Sequence, residues 1–318
     1  MQHSLYRAGK YAFYSNYKSL SQEMGTSPQS RFCFATRPRP ILRYGGLLGE
    51  RPSIGTAQEA DKTRTNQMDD IGSITEIAHR LTYPNSRPRD AASLILVDRG
   101  ADEPKVLLGR RNLAHAFMPG HFVFPGGRVE AADRDVAACA GLHRSVEARL
   151  LSAVATSKAK SARGFALAAI RETFEETGIV VGRKPSAVAP PARGISSGPW
   201  ADFFATGFLP DLSGLRFIAR AITPPRARRR FDARFLAVDA GAIAYQATGV
   251  VHPDAELTEI VWVGLPEAIK LPLPDITQVV LGDLAESIAA GFAQDAPVPF
   301  YRMERGRYAR RLLQDTAK

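Results

Sequence analysis

The residues of this chain whose types and spacing can do chemistry lie between Ala166 and Gly178, in the run A-L-A-A-I-R-E-T-F-E-E-T-G. Ala, Leu, Arg and Glu favour a helix, and Gly178 can take the left-handed conformation just past its end. At about 100° per residue, Glu172, Glu175 and Glu176 fall within an arc of roughly 100°. Leu167, Ile170 and Phe174 gather on the opposite side, within roughly 60°. One face is therefore expected to pack on a core while three carboxylates converge on the other. Like charges at i, i+3 and i+4 repel one another, so a cation is expected among them. Hard ions that prefer oxygen ligands, Mg²⁺ or Mn²⁺, suit such a set. A solvated acidic helix face is the competing reading of E-x-x-E-E taken alone.

Two neighbouring features favour the metal. Arg171 directly precedes the first Glu and can orient the carboxylates, and Phe124 to Glu130 (F-P-G-G-R-V-E) reads as a strand breaking into a tight glycine turn. Together these resemble the signature of the Nudix hydrolases, G-x5-E-x7-R-E-U-x-E-E-x-G-U, where U is bulky and apolar. Arg171, Glu172, Thr173, Glu175, Glu176, Gly178 and Ile179 match its second half, and its first half starts at Gly127. Asp133, a shorter carboxylate, takes the first Glu position. Residues 134–170 put 37 residues where the signature has seven, so the box is split by an insertion of 30. The resemblance implies Glu172, Glu175 and Glu176 as metal-binding glutamates, with Glu175 and Glu176 at the chemistry and the Gly127 carbonyl as a further ligand. It also implies that Arg171 positions a box glutamate, and that Glu130 and Asp133 lie where outer or weaker metal partners would. The general base varies in this superfamily and sometimes comes from a later loop. Glu256 and Glu259 are candidates for it, an ordinary exposed strand face being the alternative.

The segment ahead of the box partly resembles the coenzyme A–cleaving pattern L-L-T-x-R-[SA]-x3-R-x3-G-x3-F-P-G-G. Leu107, Leu108, Arg111, Gly120 and the F-P-G-G fall in register, whereas Gly109, Asn112 and Ala116 depart from it. An arginine expected to hold substrate is thus missing, and Arg110 beside Arg111 is the residue that can compensate. Over roughly residues 87–300 the chain looks most like the acyl-coenzyme A diphosphatase branch (nucleoside diphosphate-linked moiety X motif 19-like). That implies cleavage of coenzyme A or its acyl esters to 3′,5′-ADP and (acyl-)phosphopantetheine. The run Arg226 to Arg230, with Arg228, Arg229 and Arg230 at its end, is either a guanidinium cluster for the 3′-phosphate or a solvated hairpin loop. Two other functions stand beside this one: hydrolysis of another nucleotide such as NADH, ADP-ribose or an oxidised dNTP, and a non-catalytic nucleotide-sensing module. Binding alone does not need three converging carboxylates, which speaks against the last.

The elements that must position these residues are legible around them. Ala91–Val97 and Lys105–Arg110 read as a hairpin, followed by a strand from His121 to Phe124. Val146–Val154 is helical in pattern within the insertion, about 134–163. After the box come strands over Ile179–Val181, Leu215–Ile222, Phe231–Val238 and Glu256–Val263, a Pro/Gly/Ser loop from Lys184 to Trp200, and helices from Leu265 and over Asp275–Ala290. The fold expected is α/β, the Nudix α/β/α sandwich over 87–272, with a helical C-terminal segment over 273–318.

Composition is that of a globular chain, and no apolar run approaches the ~18 residues that span a bilayer. Residues 1–67 hold ten Lys/Arg and four Asp/Glu, most of the net +10, so nucleic acid is not the partner expected of the folded part. Residues 1–69 read as a disordered basic extension. It resembles an organellar transit segment, which would make the protein mitochondrial; a start assigned too far upstream, with a cytoplasmic protein, is the alternative. Cys33 and Cys139 make no metal or redox spacing.

Overall fold

The computed structural model describes residues 71–100, 103–115, 118–152, 161–185 and 197–313. The basic extension and most of the 184–200 loop lie outside the described residues. In chain order the elements are α1 (71–80), β1 (Arg89–Asp98), β2 (Lys105–Arg111), β3 (Phe122–Val123), β4 (Gly126–Arg128), α2 (Arg144–Leu151), α3 (Ala162–Thr177), β5 (Ile179–Arg183) and α4 (Pro199–Ala205). Then follow β6 (Leu209–Pro210), β7 (Arg216–Ile222), β8 (Phe231–Asp239), β9 (Ile243–Gln246), β10 (Leu257–Gly264), α5 (Leu265–Ala268), α6 (Asp275–Ala289), β11 (Val298–Glu304) and β12 (Arg307–Leu313).

A mixed sheet runs β10-β2-β1-β8-β7-β11-β12, with β3 on β2 and β4 on β1; β6-β5-β9 form a smaller sheet. Strand β1 is apolar on both faces, as a central strand must be. Leu94 and Leu96 join one core with α2, α3 and α4, while Ile95 and Val97 join a second with α6 and Ile74 of α1. This is an α/β/α sandwich. The insertion belongs to it, because Val146 and Leu150 of α2 are fully buried against α3. The domain also reaches further back than residue 87, since Thr75 on α1 accepts from the Tyr308 amide at 3.0 Å.

Among the described residues the C-terminal part is helical only in α6. Residues 298–313 form a β-hairpin that extends the main sheet through parallel pairing of β11 with β7. Arg305 and Gly306, at φ 47° and 81°, make its two-residue turn, and a glycine at the second position admits that conformation. Four arginines within the hairpin strands mask the alternation that marks a strand.

Beneath α3 the sheet carries a buried charge cluster. Arg220 binds Asp232 through both fork nitrogens at 2.8 Å, and Arg234 donates to Asp90 at 3.2 Å while stacking 3.8 Å over the Phe165 ring. Arg234 is fully buried, yet its Nε and Nη2 have no acceptor. Each unmade buried bond costs about 1–3 kcal/mol. Arg234→Met is therefore expected to leave the melting temperature unchanged or raise it. Asp232→Asn, which strands two arginines, should cost several kcal/mol. A thermal melt showing a clear fall for Arg234→Met would mean that the stacking on Phe165 outweighs the orphaned donors.

Candidate active site

Helix α3 starts where the Ser161 hydroxyl accepts from the Gly164 amide, and ends where Gly178 turns left-handed at φ 73°. A side chain at Gly178 would meet the Ala247 carbonyl at 2.5 Å, so only glycine closes the helix there. Thr173, in an apolar position of the box, is fully buried; its hydroxyl is satisfied by the Ala169 carbonyl at 2.8 Å. The helix is buried nearly all round rather than on one face. Of the three glutamates only Glu175 stands half-exposed, whereas Glu172 is largely covered and Glu176 is buried.

The glycine turn lies directly against these carboxylates. Strand β4 pairs with β1, Gly127 opposite Ala92 and Gly126 opposite Ser93. A Cβ on Gly126 would stand 2.6 Å from the Ala92 carbonyl, and one on Gly127 would stand 2.5 Å from the Glu172 carboxylate. Gly126 has no room for a side chain, and one at Gly127 would have to displace the Glu172 carboxylate. The Gly126 amide donates to Glu176 at 3.1 Å.

Arg171 holds the two halves of the split box together. Its Nε donates to Asp133 Oδ1 at 2.8 Å and its Nη2 to Asp133 Oδ2 at 3.2 Å and to the Arg128 carbonyl at 2.8 Å. Nη1 reaches Glu172 at 3.0 Å and Glu175 at 3.5 Å. Asp133 is fully buried and also accepts from Trp200 Nε1 at 2.9 Å and the Glu130 amide at 2.7 Å. The expectation that Asp133 is a weak or outer metal partner is corrected: its oxygens are taken up by Arg171, Trp200 and Glu130. The shorter side chain suffices because the 3-10 turn Ala131–Arg134 carries it to the guanidinium. Glu130 itself is exposed, near enough to Arg171 for its charge to be felt.

The electrostatics are those of a carboxylate group short of cations. Burial pushes the Glu172 carboxyl up to about 7, Arg171 opposing and the charges of Glu175 and Glu256 adding. Burial likewise drives Glu176 well above the usual carboxylate range, helped by Glu256 and Glu172 and opposed by the Gly126 amide and Arg111. Burial works against the charge on Arg171, but Asp133, Glu172 and Glu130 outweigh it and keep it protonated. Among the described residues no group of three or more acidic, histidine or cysteine side chains is already set to hold a metal ion. The donor set still fits one: hard oxygens, negative, buried, and relieved by added positive charge.

Glu256, just ahead of β10, is brought to this group, and Arg111 Nη2 holds it at 2.9 Å with His115 Nε2 at 3.5 Å. Asn112 fixes the approach by donating to the Pro253 and Ala255 carbonyls. Arg110 instead faces Glu259 at 3.9 Å along the sheet edge. The Arg226–Arg230 run is the β7–β8 turn; Arg228 and Arg229 are exposed, and Arg230 binds Asn85 and the Ser86 carbonyl. Among the described residues no hydrogen bond or ion pair joins that turn to the glutamates. Sequence reasoning missed Trp200 and His115. Trp200 lies on α4, a seven-residue helix, P-W-A-D-F-F-A, whose aromatic cluster beside the long loop was the available signal.

No family model matches the sequence, and no curated protein matches it. Solved structures similar to the chain include a NUDIX hydrolase from Alicyclobacillus acidocaldarius, at 26% identity over 66% of this chain and 97% of that one, TM-score 0.48. The NUDIX domain of Shewanella oneidensis NrtR, solved with ADP ribose, is 15% identical over 64% and 90%, TM-score 0.36. A C. elegans Ap4A hydrolase is 15% identical over 64% and 98%, TM-score 0.32.

Two outcomes follow for the site. Asp133→Asn removes the counter-charge of a buried arginine, so a loss of about 3–5 kcal/mol is expected, read by denaturant unfolding; a loss under ~1 kcal/mol would contradict the anchoring role. For the metal-free protein in EDTA, the sign comes from Glu172, whose carboxyl is raised in the folded state. The folded state then binds more protons than the unfolded one between the ordinary glutamate range and about pH 7. Stability should fall as pH rises through that window, and Glu172→Gln should flatten the fall. Melts at a series of pH values check this.

Proposed function

We propose that the chain is a metal-dependent pyrophosphohydrolase of Nudix type that cleaves coenzyme A or acyl-coenzyme A. The observation that carries the reading is the pairing of Glu172 and Glu176, buried and short of positive charge, with a glycine turn that leaves no room for a side chain at Gly126. Glu172, Glu175, Glu176 and the Gly127 carbonyl would hold the ion. Mg²⁺ or Mn²⁺ held there would supply positive charge to pyrophosphate oxygens and would lower the pKa of a water. Arg171 keeps Glu172 and Glu175 in place, so positioning is settled before substrate arrives. Glu256 takes the proton of the attacking water, its carboxylate aimed by Arg111 and His115. The coenzyme A assignment rests on the match of Leu107, Leu108, Arg111, Gly120 and Phe124–Gly127 to the pattern ahead of the box.

A second reading keeps the chemistry and changes the substrate to another nucleotide, such as ADP-ribose or NADH. It is favoured by the β7–β8 turn, where Arg230 is already committed to Asn85 and Ser86. The ratio of kcat/KM for coenzyme A over 3′-dephospho-coenzyme A separates the two. If Arg228, Arg229 and Arg230 grip the 3′-phosphate, that ratio is at least about tenfold, since each charge-assisted contact is worth about 1.5–3 kcal/mol. Replacing them with Ser should then bring it to one. A wild type that ignores both substrates but cleaves ADP-ribose or NADH establishes the second reading.

Glu176→Gln is expected to lower kcat by about two to three orders of magnitude. It should also abolish the rise in melting temperature that Mn²⁺ gives the wild type. Near-wild-type turnover at saturating Mg²⁺ would remove Glu176 from the site.

A further inference from the structure

The charge of the described fold is not spread evenly. Residues 68–297 carry 26 basic and 26 acidic side chains, a net charge of zero. The hairpin Val298–Leu313 carries five arginines against one acid, Glu304. Its β12 is the last strand of the main sheet, four strand spacings from the β1 that carries the glycine turn, about 19 Å. Whatever this excess serves, it is not the carboxylate site.

Alternation divides the hairpin. One face puts Tyr301 and Tyr308 into the core, with the Tyr301 hydroxyl on Asp283 at 2.9 Å. Arg310 sits on that side, its charge met by Asp283 and Glu286 of α6. On the other face Phe300, Arg302 and Glu304 stand across from Arg311, Ala309 and Arg307. They line a cleft of about 1080 Å³ that Ser152 and Leu313 also line. Glu304 binds both Arg302 and Arg311 at 2.8 Å, so it fixes two of the guanidiniums in place. Arg305, at the turn, and Arg307 are exposed and have no hydrogen-bond or ion-pair partner among the described residues.

We propose that this cleft binds a single nucleic-acid strand through its phosphates. Arg307 and Arg311 are four residues apart on β12, about 13 Å, with Arg302 across the hairpin and Arg305 beyond. That is a line of forks, longer than one small anion spans, and arginine matches phosphate bidentately. The aromatic rings nearby, Phe300, Tyr301 and Tyr308, are buried. Base stacking is therefore absent, and binding is independent of sequence. Charge totals, on which nucleic acid is not the expected partner, average a neutral body with one basic hairpin.

The test is fluorescence anisotropy on the full chain with a labelled oligothymidylate of about twelve nucleotides. Binding is expected to weaken with salt, with a log–log slope near −2 for about three phosphates on a single strand. Arg305→Glu/Arg307→Glu changes two exposed, unpaired side chains, so it should keep the melting temperature and the turnover while weakening binding at least tenfold. Arg302→Gln/Arg311→Gln should weaken it as well. Glu176→Gln should bind the strand as the wild type does. No binding by the wild type in ~50 mM salt overturns the proposal. So does unchanged binding in both double variants, which would place the contact on the basic residues before 68. Poly-glutamate of matched charge competing as well as the oligonucleotide would make the partner an acidic polypeptide, which also overturns it. None of these results touches the hydrolase reading, whose residues lie elsewhere.

Discussion

The buried ion pair of Arg171 with Asp133 is the contact on which the candidate site depends. The two residues stand 38 apart in sequence, one on each side of the insertion, and meet at 2.8 Å in the interior. Burying a guanidinium is costly unless its charge and its donors are met. Here Asp133 takes two donors, Arg128 a third, and the remaining nitrogen reaches Glu172 and Glu175. The arrangement ties the glycine turn, the 3-10 turn and α3 into one unit. It also explains how 30 extra residues can enter the motif without moving its parts: the insertion leaves after Asp133, packs α2 on α3, and returns at Ser161. The geometry is set by the pair, not by the length of chain between its members.

The same pair leaves the site under-neutralised. Arg171 is the guanidinium in direct contact with Glu172 and Glu175, and two of its donors go to Asp133. Glu172 and Glu176 are then left desolvated beside each other and beside Glu256, which is why both carboxyls are pushed toward the neutral form. A protein could relieve this by placing a second arginine there. Arg111 approaches but is held on Glu256 and His115. The fold thus trades stability for a cluster of poorly neutralised carboxylates, a pattern expected where function rather than packing decides residue identity.

How far the sequence reached can be seen residue by residue. The helical period of Ala166–Gly178 and the F-P-G-G turn identified the glutamates and the turn that faces them, because both rest on local geometry. The depth of Glu176 was not legible: the helical projection places it on a polar face, and only the packing of α3 against the glycine turn, whose Gly126 amide meets Glu176, shows that this face is covered. Asp133 was legible as a box position but not in its role, which depends on Trp200, 67 residues away. The C-terminal hairpin was missed for a different reason. Its strands use both faces, one for tyrosines in the core and one for arginines in water, so neither apolar alternation nor a helical period stands out.

Two places on the main sheet, β4 on β1 and the hairpin that ends in β12, therefore carry opposite electrostatic problems. At β4 and α3, carboxylates are buried with too little positive charge. At β11 and β12, guanidiniums are exposed with too little negative charge, Glu304 being shared between two of them. Between them the cluster of Arg220, Asp232, Arg234 and Asp90 holds its charges in balance under α3, with Arg220 stacked 4.5 Å from the Phe300 ring that floors the basic cleft. A rigid sheet with a balanced centre keeps the two excesses apart, since oppositely charged side chains about 19 Å distant across four strands are beyond a Debye length in physiological salt. Among the described residues neither excess meets its full counter-charge, positive at the carboxylates and negative at the hairpin.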